Sequence, residues 1–430
     1  MKEGQRVEIT RKNNKYVGYF MPSHGEMVVI KMDNGYNVGF RKFEIEIKEL
    51  PERVELEKFP KIEIGRDEGK SDLLILSTGG TIASRVDYRT GAVIPASSAE
   101  EILFLVPELG KEFNIEADVV FKIFSEDMRF ENYAKLSERI SEKIIERREK
   151  DSLKKLEGVL VFHGTDTMHY TSAALSFIFN EFGIPILLVG AQRSSDRGSC
   201  DGPMNILCAS GFLKGADFGE VGICMHDSAN DDFCAIHKGT KARKMNTSRR
   251  DAFKTINASP YARVGENGKR IEILDGWNKK KWENIGALER GKLKNRFEEK
   301  VALIKIHPNM DSGIMDYFDE KKYKGIVLEG TGLGHAPINA DRELAGKIKK
   351  MNEKGVILAM TSQCINGRVN MNVYSTGRDL AEMGVIPCED MLSEVALVKL
   401  KWLLGNFKEE EARKMINKNI AGEISERRTE

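Results

Sequence analysis

The stretch that decides the fold is Asp72-Leu73-Leu74-Ile75-Leu76-Ser77-Thr78-Gly79-Gly80-Thr81-Ile82-Ala83, an apolar run that ends in a glycine-containing loop. The apolar run 73–76 is typical of a strand that is buried on both faces of a parallel sheet. Such sheets bind their ligands at the carboxyl ends of the strands, where the glycines and Thr81 stand. The alternative is a tight turn in which the glycines only supply positive φ.

A second polar loop, Phe162-His163-Gly164-Thr165-Asp166-Thr167-Met168, follows the apolar run 158–162 in the same way. Thr165 and Asp166 put a hydroxyl beside a carboxylate, which can orient a proton acceptor. The alternative is a helix N-cap, because both residue types cap well and a helical stretch begins near Met168. His163 and His169 are not spaced to share one helical face, so a zinc pair is not expected here.

The third polar stretch is Lys241-Ala242-Arg243-Lys244-Met245-Asn246-Thr247-Ser248. Judged on charge alone, it is typical of a solvated surface. The residue types by themselves do not distinguish Lys244 from its neighbours.

Strands alternate with helices on both sides of these loops, which predicts an α/β fold with parallel sheets. Further strands are expected at 119–121, 186–189 and 221–224, and helices at 131–149, 168–182 and 205–214. A second alternation has strands at 301–306, 326–328 and 356–360. The pattern predicts two tandem α/β domains, 72–278 and 301–430, joined by a charged linker at 279–300. The charged residues from Lys408 onward are predicted to form a solvated helix that frays.

Residues 1–50 are predicted to form a small all-β module of the SH3-like barrel kind. Apolar residues alternate with period two in the short runs 7–10, 16–20, 27–32 and 36–40. Asp33-Asn34-Gly35 separates two of these runs and predicts a hairpin with a type I′ turn, which Asn-Gly favours. The polar stretch 51–71 is the predicted linker to the α/β domains.

Composition limits the class of protein. The chain has 430 residues, too many for one ordinary core, and 67 Lys plus Arg balance 66 Asp plus Glu, so no excess charge is available to hold a polyanion. No apolar run approaches the roughly 20 residues of a membrane span, and no secretion signal precedes the first strand. A soluble cytoplasmic protein with no membrane contact is expected. The six cysteines form no Cys-x-x-Cys pair, so no metal is expected.

Two of these loops resemble a known enzyme family. Thr78-Gly79-Gly80-Thr81-Ile82-Ala83 and His163-Gly164-Thr165-Asp166-Thr167-Met168 resemble the two signature motifs of the bacterial-type L-asparaginases, in the same order and each after a strand. The resemblance continues through Asp201-Gly202-Pro203-Met204-Asn205, the stretches 243–257 and 325–330, and Tyr374-Ser375-Thr376-Gly377-Arg378. It covers residues from about 72 to 405 and implies two asparaginase-type α/β domains with amidohydrolase activity.

The resemblance implies that Thr81 is the nucleophile that attacks a side-chain amide. Three further side chains are implied to remove its proton: Thr165, Asp166 and Lys244. A threonine hydroxyl is a weak nucleophile, so a base and donors for the oxyanion are both required. Backbone amides near Gly80 and Thr165 are the expected oxyanion donors, with Gly80 and Gly164 in contact with the substrate. No metal is needed for any step.

Other site residues are also implied by the resemblance. Ser125 and Glu126, in Ser125-Glu126-Asp127, match the segment that holds the substrate's α-amino and α-carboxyl groups. Tyr88 matches the tyrosine of the family's mobile loop, although its spacing from the nucleophile is shorter than in bacterial members. Glu389 and Glu394 are candidates for the glutamate that the family's second domain contributes.

The front module and its hairpin at 31–39 resemble the front domain of the D-subunit family of archaeal glutamyl-tRNA(Gln) amidotransferases. So do the stretches Ala191-Gln192-Arg193-Ser194-Ser195-Asp196-Arg197 and Ser362-Gln363-Cys364-Ile365-Asn366-Gly367-Arg368-Val369. This resemblance implies that the ammonia passes to a partner E subunit, which uses it to amidate Glu-tRNA(Gln) to Gln-tRNA(Gln).

The same resemblance implies which components belong to the partner. ATP and Mg²⁺ are expected at the E subunit, which also binds most of the tRNA, and no cofactor is expected in this chain. A homodimer through the asparaginase-like domains is expected as well. Asparagine and glutamine both remain open as the amide donor. The alternatives are a free-standing cytoplasmic L-asparaginase and a non-catalytic scaffold.

Overall fold

A computed structural model describes residues 3–23, 25–53, 66–80, 82, 84–87, 92–95, 99–150, 152–194, 198–288 and 293–426. Two predicted site residues, Thr81 and Tyr88, lie outside the described residues, as does most of the predicted linker at 51–71.

Strands and helices are numbered along the chain. The strands are β1 Gln5–Arg11, β2 Asn14–Met21, β3 Met27–Met32, β4 Asn37–Arg41, β5 Glu46–Arg53, β6 Ser71–Ser77, β7 Ser84–Asp87, β8 Ala92–Pro95, β9 Phe113–Val119, β10 Leu156–Phe162, β11 Ile186–Val189, β12 Val221–His226, β13 Phe233–Lys238, β14 Ala242–Lys244, β15 Phe253–Thr255, β16 Ala262–Gly265, β17 Arg270–Ile273, β18 Val301–Lys305, β19 Gly325–Gly330, β20 Ile357–Ser362 and β21 Ile386–Pro387. The helices are α1 Ala99–Leu105, α2 Leu109–Glu112, α3 Phe130–Glu149, α4 Met168–Phe179, α5 Gly202–Gly215, α6 Gly313–Glu320, α7 Arg342–Glu353, α8 Ser375–Glu382, α9 Ser393–Asn406 and α10 Glu409–Met415.

The predicted small all-β module is confirmed as a five-stranded antiparallel sheet in the order β4-β3-β2-β1-β5. Strand β5, which pairs with β1, was not predicted, because its charged residues hide the alternation. The hairpin at Asn34 and Gly35 is confirmed, but the predicted type I′ turn is wrong. Only Gly35 has a positive φ (80°), and the Gly35 amide donates to Met32 O, so the turn is longer by one residue.

The predicted α/β fold is also confirmed. An eight-stranded sheet has the order β17-β16-β13-β12-β11-β10-β6-β9, and the five strands from β12 to β9 in that order are parallel. Strands β13, β16 and β17 extend it in the antiparallel sense. Strand β9 lies before the strand predicted at 119–121. It is an edge strand and half-buried along most of its length, so it lacks the continuous apolar run by which a central strand is recognised in the sequence.

A second, four-stranded parallel sheet has the order β18-β19-β20-β21. Helix α9 packs on this sheet and on α4 of the first α/β domain, where the rings of Phe177 and Trp402 stack with their centroids 5.7 Å apart. Buried apolar residues from both domains form one cluster at this contact. The two sheets therefore share part of their core.

The carboxyl-terminal segment is packed against the body, so the prediction of a solvated, fraying tail is wrong. A helix does form, as α10, but Ala412 and Ile416 are fully buried. Glu423 is also fully buried and pairs with Lys399 of α9. Among the described helices, none has the length and apolar character that crossing a membrane would require.

Candidate active site

The two signature loops lie side by side because strands β6 and β10 are parallel neighbours. Both the backbone amide and the hydroxyl of Thr78 donate to Phe162 O, at 2.9 and 3.0 Å. Gly80 has φ of 85°, and a Cβ there would lie 2.6 Å from the backbone nitrogen of Gly164. Only glycine fits at Gly80 without displacing the second loop, so the two loops touch through backbone atoms.

The second loop carries two of the predicted residues into contact with Lys244. This lysine ends β14, which forms a hairpin with β15. Its Nζ donates to Thr165 Oγ1 at 2.9 Å and to Asp166 Oδ1 at 2.6 Å. The Lys244 side chain is 10% exposed and that of Asp166 is 63% exposed. The amine is therefore largely shielded from water, while its carboxylate partner reaches the solvent.

The capping interpretation of this loop does not fit the contacts. Thr167 is the residue that precedes α4, and its side chain makes no capping hydrogen bond. Its hydroxyl instead donates to Ser125 O at 2.6 Å. Thr165 and Asp166 bond to the lysine, so the polar side chains of the loop face other loops.

The segment Ser125–Asp127, a single 3-10 turn, also reaches the loop. Ser125 is buried, and a Cβ on Gly164 would lie 2.8 Å from both Ser125 Cβ and Ser125 Oγ. Glu126 is exposed. The structure thus brings Gly80, Gly164 and Ser125 into one contiguous line and leaves Glu126 at the solvent edge.

Sequence reasoning missed the loop after β11 as part of the site. A Cβ on Gly190 would lie 2.8 Å from Thr165 Cγ2, so this loop packs directly on the threonine. The Asp201 carboxylate accepts hydrogen bonds from the amides of Gln192 and Arg193, and Asn205 Nδ2 donates to Gly190 O at 2.9 Å. The apolar run at 186–189 that ends in Gly190 was a usable signal, because parallel strands end at one edge.

His163 contacts the backbone of the second loop from inside the fold. It is fully buried, with its Nδ1 2.6 Å from Gly164 O and its Nε2 2.8 Å from Thr171 Oγ1. Burial lowers the pKa of His163 to about 4. The ring is therefore neutral, donates from Nδ1 to the carbonyl and accepts the threonine proton at Nε2. Its role here is to orient the backbone of Gly164.

Glu389 and Glu394 are the two candidates for the glutamate from the second domain. Of these two, only Glu394 contacts the hairpin that carries Lys244. It lies in the first turn of α9, is buried, and its Oε2 accepts from Arg243 Nη1 at 3.1 Å. Burial raises the pKa of Glu394, while the Arg243 charge opposes that rise. Glu389 is 38% exposed and pairs with Arg368 at 3.4 Å.

Known proteins that resemble this chain cover nearly all of it. Family descriptions match in three places: "GatD N-terminal domain" over residues 1–50, "Asparaginase, N-terminal" over 72–277 and "Glutaminase/Asparaginase C-terminal domain" over 300–416. Among solved structures, the thermostable L-asparaginase from Thermococcus kodakarensis superposes with a TM-score of 0.69 at 29% identity, covering 82% of this chain and 99% of that one. L-asparaginase I from Vibrio cholerae gives 0.66 at 27% identity, covering 83% and 100%.

Curated relatives extend the similarity to the front module. The D subunit of the glutamyl-tRNA(Gln) amidotransferase from Archaeoglobus fulgidus is 47% identical and covers 98% of this chain and 95% of the relative. The proteins of the same name from Pyrococcus horikoshii and Methanococcus maripaludis are each 46% identical, covering 95% and 98% of this chain and 91% and 98% of theirs. The chain therefore belongs to the D-subunit family of glutamyl-tRNA(Gln) amidotransferases, with an asparaginase-type fold behind a small all-β domain.

Proposed function

We propose that this chain is the ammonia-generating subunit of a tRNA-dependent amidotransferase and hydrolyses the side-chain amide of asparagine or glutamine. The observation that carries the proposal is the shielded Lys244 amine, bonded to the Thr165 hydroxyl and the Asp166 carboxylate. This group lies beside the Thr78–Gly80 loop at the carboxyl edge of the parallel sheet. A hydroxyl, a carboxylate and an amine in that position fit proton transfer to and from an amide under attack.

Thr81, the next residue after Gly80, is the proposed nucleophile. Its oxygen forms a bond to the amide carbon, and its proton passes through the Thr165 hydroxyl to the Lys244 side chain, where the Asp166 carboxylate pairs with the positive charge. When the carbon–nitrogen bond breaks, the departing nitrogen takes a proton and leaves as ammonia. Water then cleaves the ester on Thr81 and releases aspartate or glutamate.

Backbone and side-chain groups around this centre would hold the substrate. Amides near Gly80 and Thr165 are proposed to donate to the oxyanion, since Gly80 and Gly164 allow the close backbone approach that such donors need. Ser125 and Glu126 are proposed to hold the α-amino and α-carboxyl groups, and Tyr88 is the proposed counterpart of the catalytic tyrosine on the family's mobile loop. The contiguity of Gly80, Gly164 and Ser125 supports this arrangement.

The released ammonia would pass to a partner E subunit that converts Glu-tRNA(Gln) to Gln-tRNA(Gln). ATP and Mg²⁺ act at that partner, which also provides most of the tRNA contact, and the formal net charge of +1 on this chain agrees with such a division. Two copies of this chain are proposed to pair through their asparaginase-like domains. The names of the curated relatives support the assignment.

A free-standing L-asparaginase is the second candidate. It is favoured by the solved L-asparaginases, whose chains are covered at 99% and 100% by residues of this one. The two functions differ in what the purified chain does alone.

Ammonia release from asparagine and from glutamine separates these possibilities. The subunit function predicts slow release by the chain alone and stimulation when the E subunit and Glu-tRNA(Gln) are added, whereas a free-standing enzyme would show full turnover without them. Thr81→Ala should abolish release in both cases. If that variant kept wild-type activity, the nucleophile assignment would be wrong. No release by the wild-type chain, alone or with the E subunit and Glu-tRNA(Gln), would leave the scaffold interpretation.

A further inference from the structure

The hairpin that carries Lys244 is fastened to the second α/β domain at its base. The buried Lys241 donates to Asp390 Oδ2 at 2.8 Å. On the other arm, Asn257 Nδ2 donates to Asp390 O at 3.1 Å and to Gly367 O at 3.2 Å, while its Oδ1 accepts from the Gly367 amide at 2.8 Å. The second domain thus holds the base of the hairpin, while the Lys244 side chain contacts Thr165 and Asp166 of the first domain.

A further contact to the second domain lies directly beside Lys244. Successive side chains of a strand point to opposite faces, so Arg243 points away from the Thr165 hydroxyl and toward α9. There it pairs with Glu394 at 3.1 Å. Glu394 is 5% exposed on its side chain, and among the described residues its Oε1 has no hydrogen-bond partner. The Arg243 guanidinium is therefore the main compensation for this buried carboxylate.

We propose that Arg243 and Glu394 are positioning residues through which the second α/β domain sets the location of the Lys244 amine. The inference rests on the proposed function. Turning the strand about its axis would move Arg243 and Lys244 together, so a fixed guanidinium on one face holds the amine on the other. A misplacement of about 1 Å at a reacting group can lower a rate by about a hundredfold, so the pair has a measurable consequence.

A purely stabilising ion pair makes a different prediction. Loss of such a pair would lower the free energy of unfolding and leave kcat of the folded protein unchanged. Glu394→Gln is the informative variant, since it removes the charge without leaving a buried carboxylate unpaired, and Arg243 is 33% exposed and can be hydrated. Arg243→Gln is harsher because it leaves Glu394 unpaired.

The test measures kcat and KM for ammonia release by the complete enzyme, together with urea unfolding of each variant. We expect Glu394→Gln to lower kcat by between about tenfold and a hundredfold while KM changes less than about twofold. The double variant with Arg243→Gln should lose no more than Arg243→Gln alone, because both changes break one contact. Glu298→Gln is the matched control. Glu298 pairs with Lys324, 2.8 Å away, just before β19 begins and outside the candidate site. The kcat of the Glu298→Gln variant should therefore equal that of wild type.

A folded Glu394→Gln protein with wild-type kcat would overturn the inference, as would additive losses in the double variant. If Glu394→Gln fails to fold, Arg243→Lys decides instead, since it keeps the charge but shifts the contact. A lower kcat with unchanged KM supports the positioning role, and an unchanged kcat rejects it. No ammonia release by the wild-type enzyme with the E subunit and Glu-tRNA(Gln) is a different result, and it rejects the proposed function itself.

Discussion

Replacing Lys244 by methionine should remove activity and leave the fold intact. Methionine keeps most of the apolar stem of this side chain, which is 10% exposed, and loses only the amine with its hydrogen bonds to Thr165 and Asp166. Asp166 is 63% exposed, so the variant leaves no buried charge unpaired. The free energy of unfolding should therefore fall by no more than about 1 kcal/mol.

The effect on catalysis should be far larger. A positioned general base contributes roughly 10²- to 10⁴-fold to the rate, which corresponds to about 2.7–5.5 kcal/mol in the activation barrier. We therefore expect kcat to fall by at least about a hundredfold. The fall in kcat should be seen with asparagine and with glutamine, since both donors carry the same side-chain amide.

The assay is ammonia release under saturating amide donor, with urea unfolding of the same samples. Lys238→Met is the matched control. Lys238, six residues earlier, is 18% exposed and pairs with the 45% exposed Asp275 at 2.7 Å, a similar contact outside the candidate site. Both variants should lose similar stability, and only Lys244→Met should lose activity. If Lys244→Met kept more than about a tenth of the wild-type kcat, the base contribution would be too small for a proton relay.

Two predictions concern stability. Burial lowers the pKa of His163 and His169 to about 4 and of His237 to about 3, from an ordinary value of 6.5. Because the folded state holds these rings neutral, their contribution is fully present above pH 6.5 and is lost as the pH falls toward 4. Unfolding free energies measured in urea at pH 7.5 and at pH 5 should show the lower value at pH 5, and equal values would contradict the assignment. Lys399→Met should cost about 3–5 kcal/mol because it leaves the fully buried Glu423 carboxylate with backbone hydrogen bonds from Ile420 and Ala421 but without its counter-charge. Adding Glu423→Gln should recover much of that loss, and no recovery would mean that the charge is not the cause.

Much of the fold could be predicted because the informative residues are local. Apolar runs such as 73–76 and 158–162 mark buried strands whatever surrounds them, and both became central parallel strands. Elements at the edges were harder to predict. Strand β5 is rich in charge, and β9 is only half-buried along most of its length, so neither presents a run that local patterning detects.

The edge strand β17, which has no buried residue, shows the same limit, as does the carboxyl-terminal segment. The charged residues around Glu423 are typical of a solvated surface. Inside the fold, the fully buried Lys399 and the backbone amides of Ile420 and Ala421 stabilise this carboxylate. A buried ion pair depends on its partner, and the partner stands elsewhere in the sequence.

The sequence by itself determined that two glycine-bearing loops follow buried strands and that each carries a hydroxyl. These features depend on neighbouring residues. The family resemblance already named Lys244, but only the tertiary structure showed that its amine contacts Thr165 and Asp166 and that the second domain holds its hairpin. The physical reason is distance along the chain: Lys244 lies 79 positions from Thr165, and only the folding of the β14–β15 hairpin against the loop after β10 brings its amine within hydrogen-bonding distance.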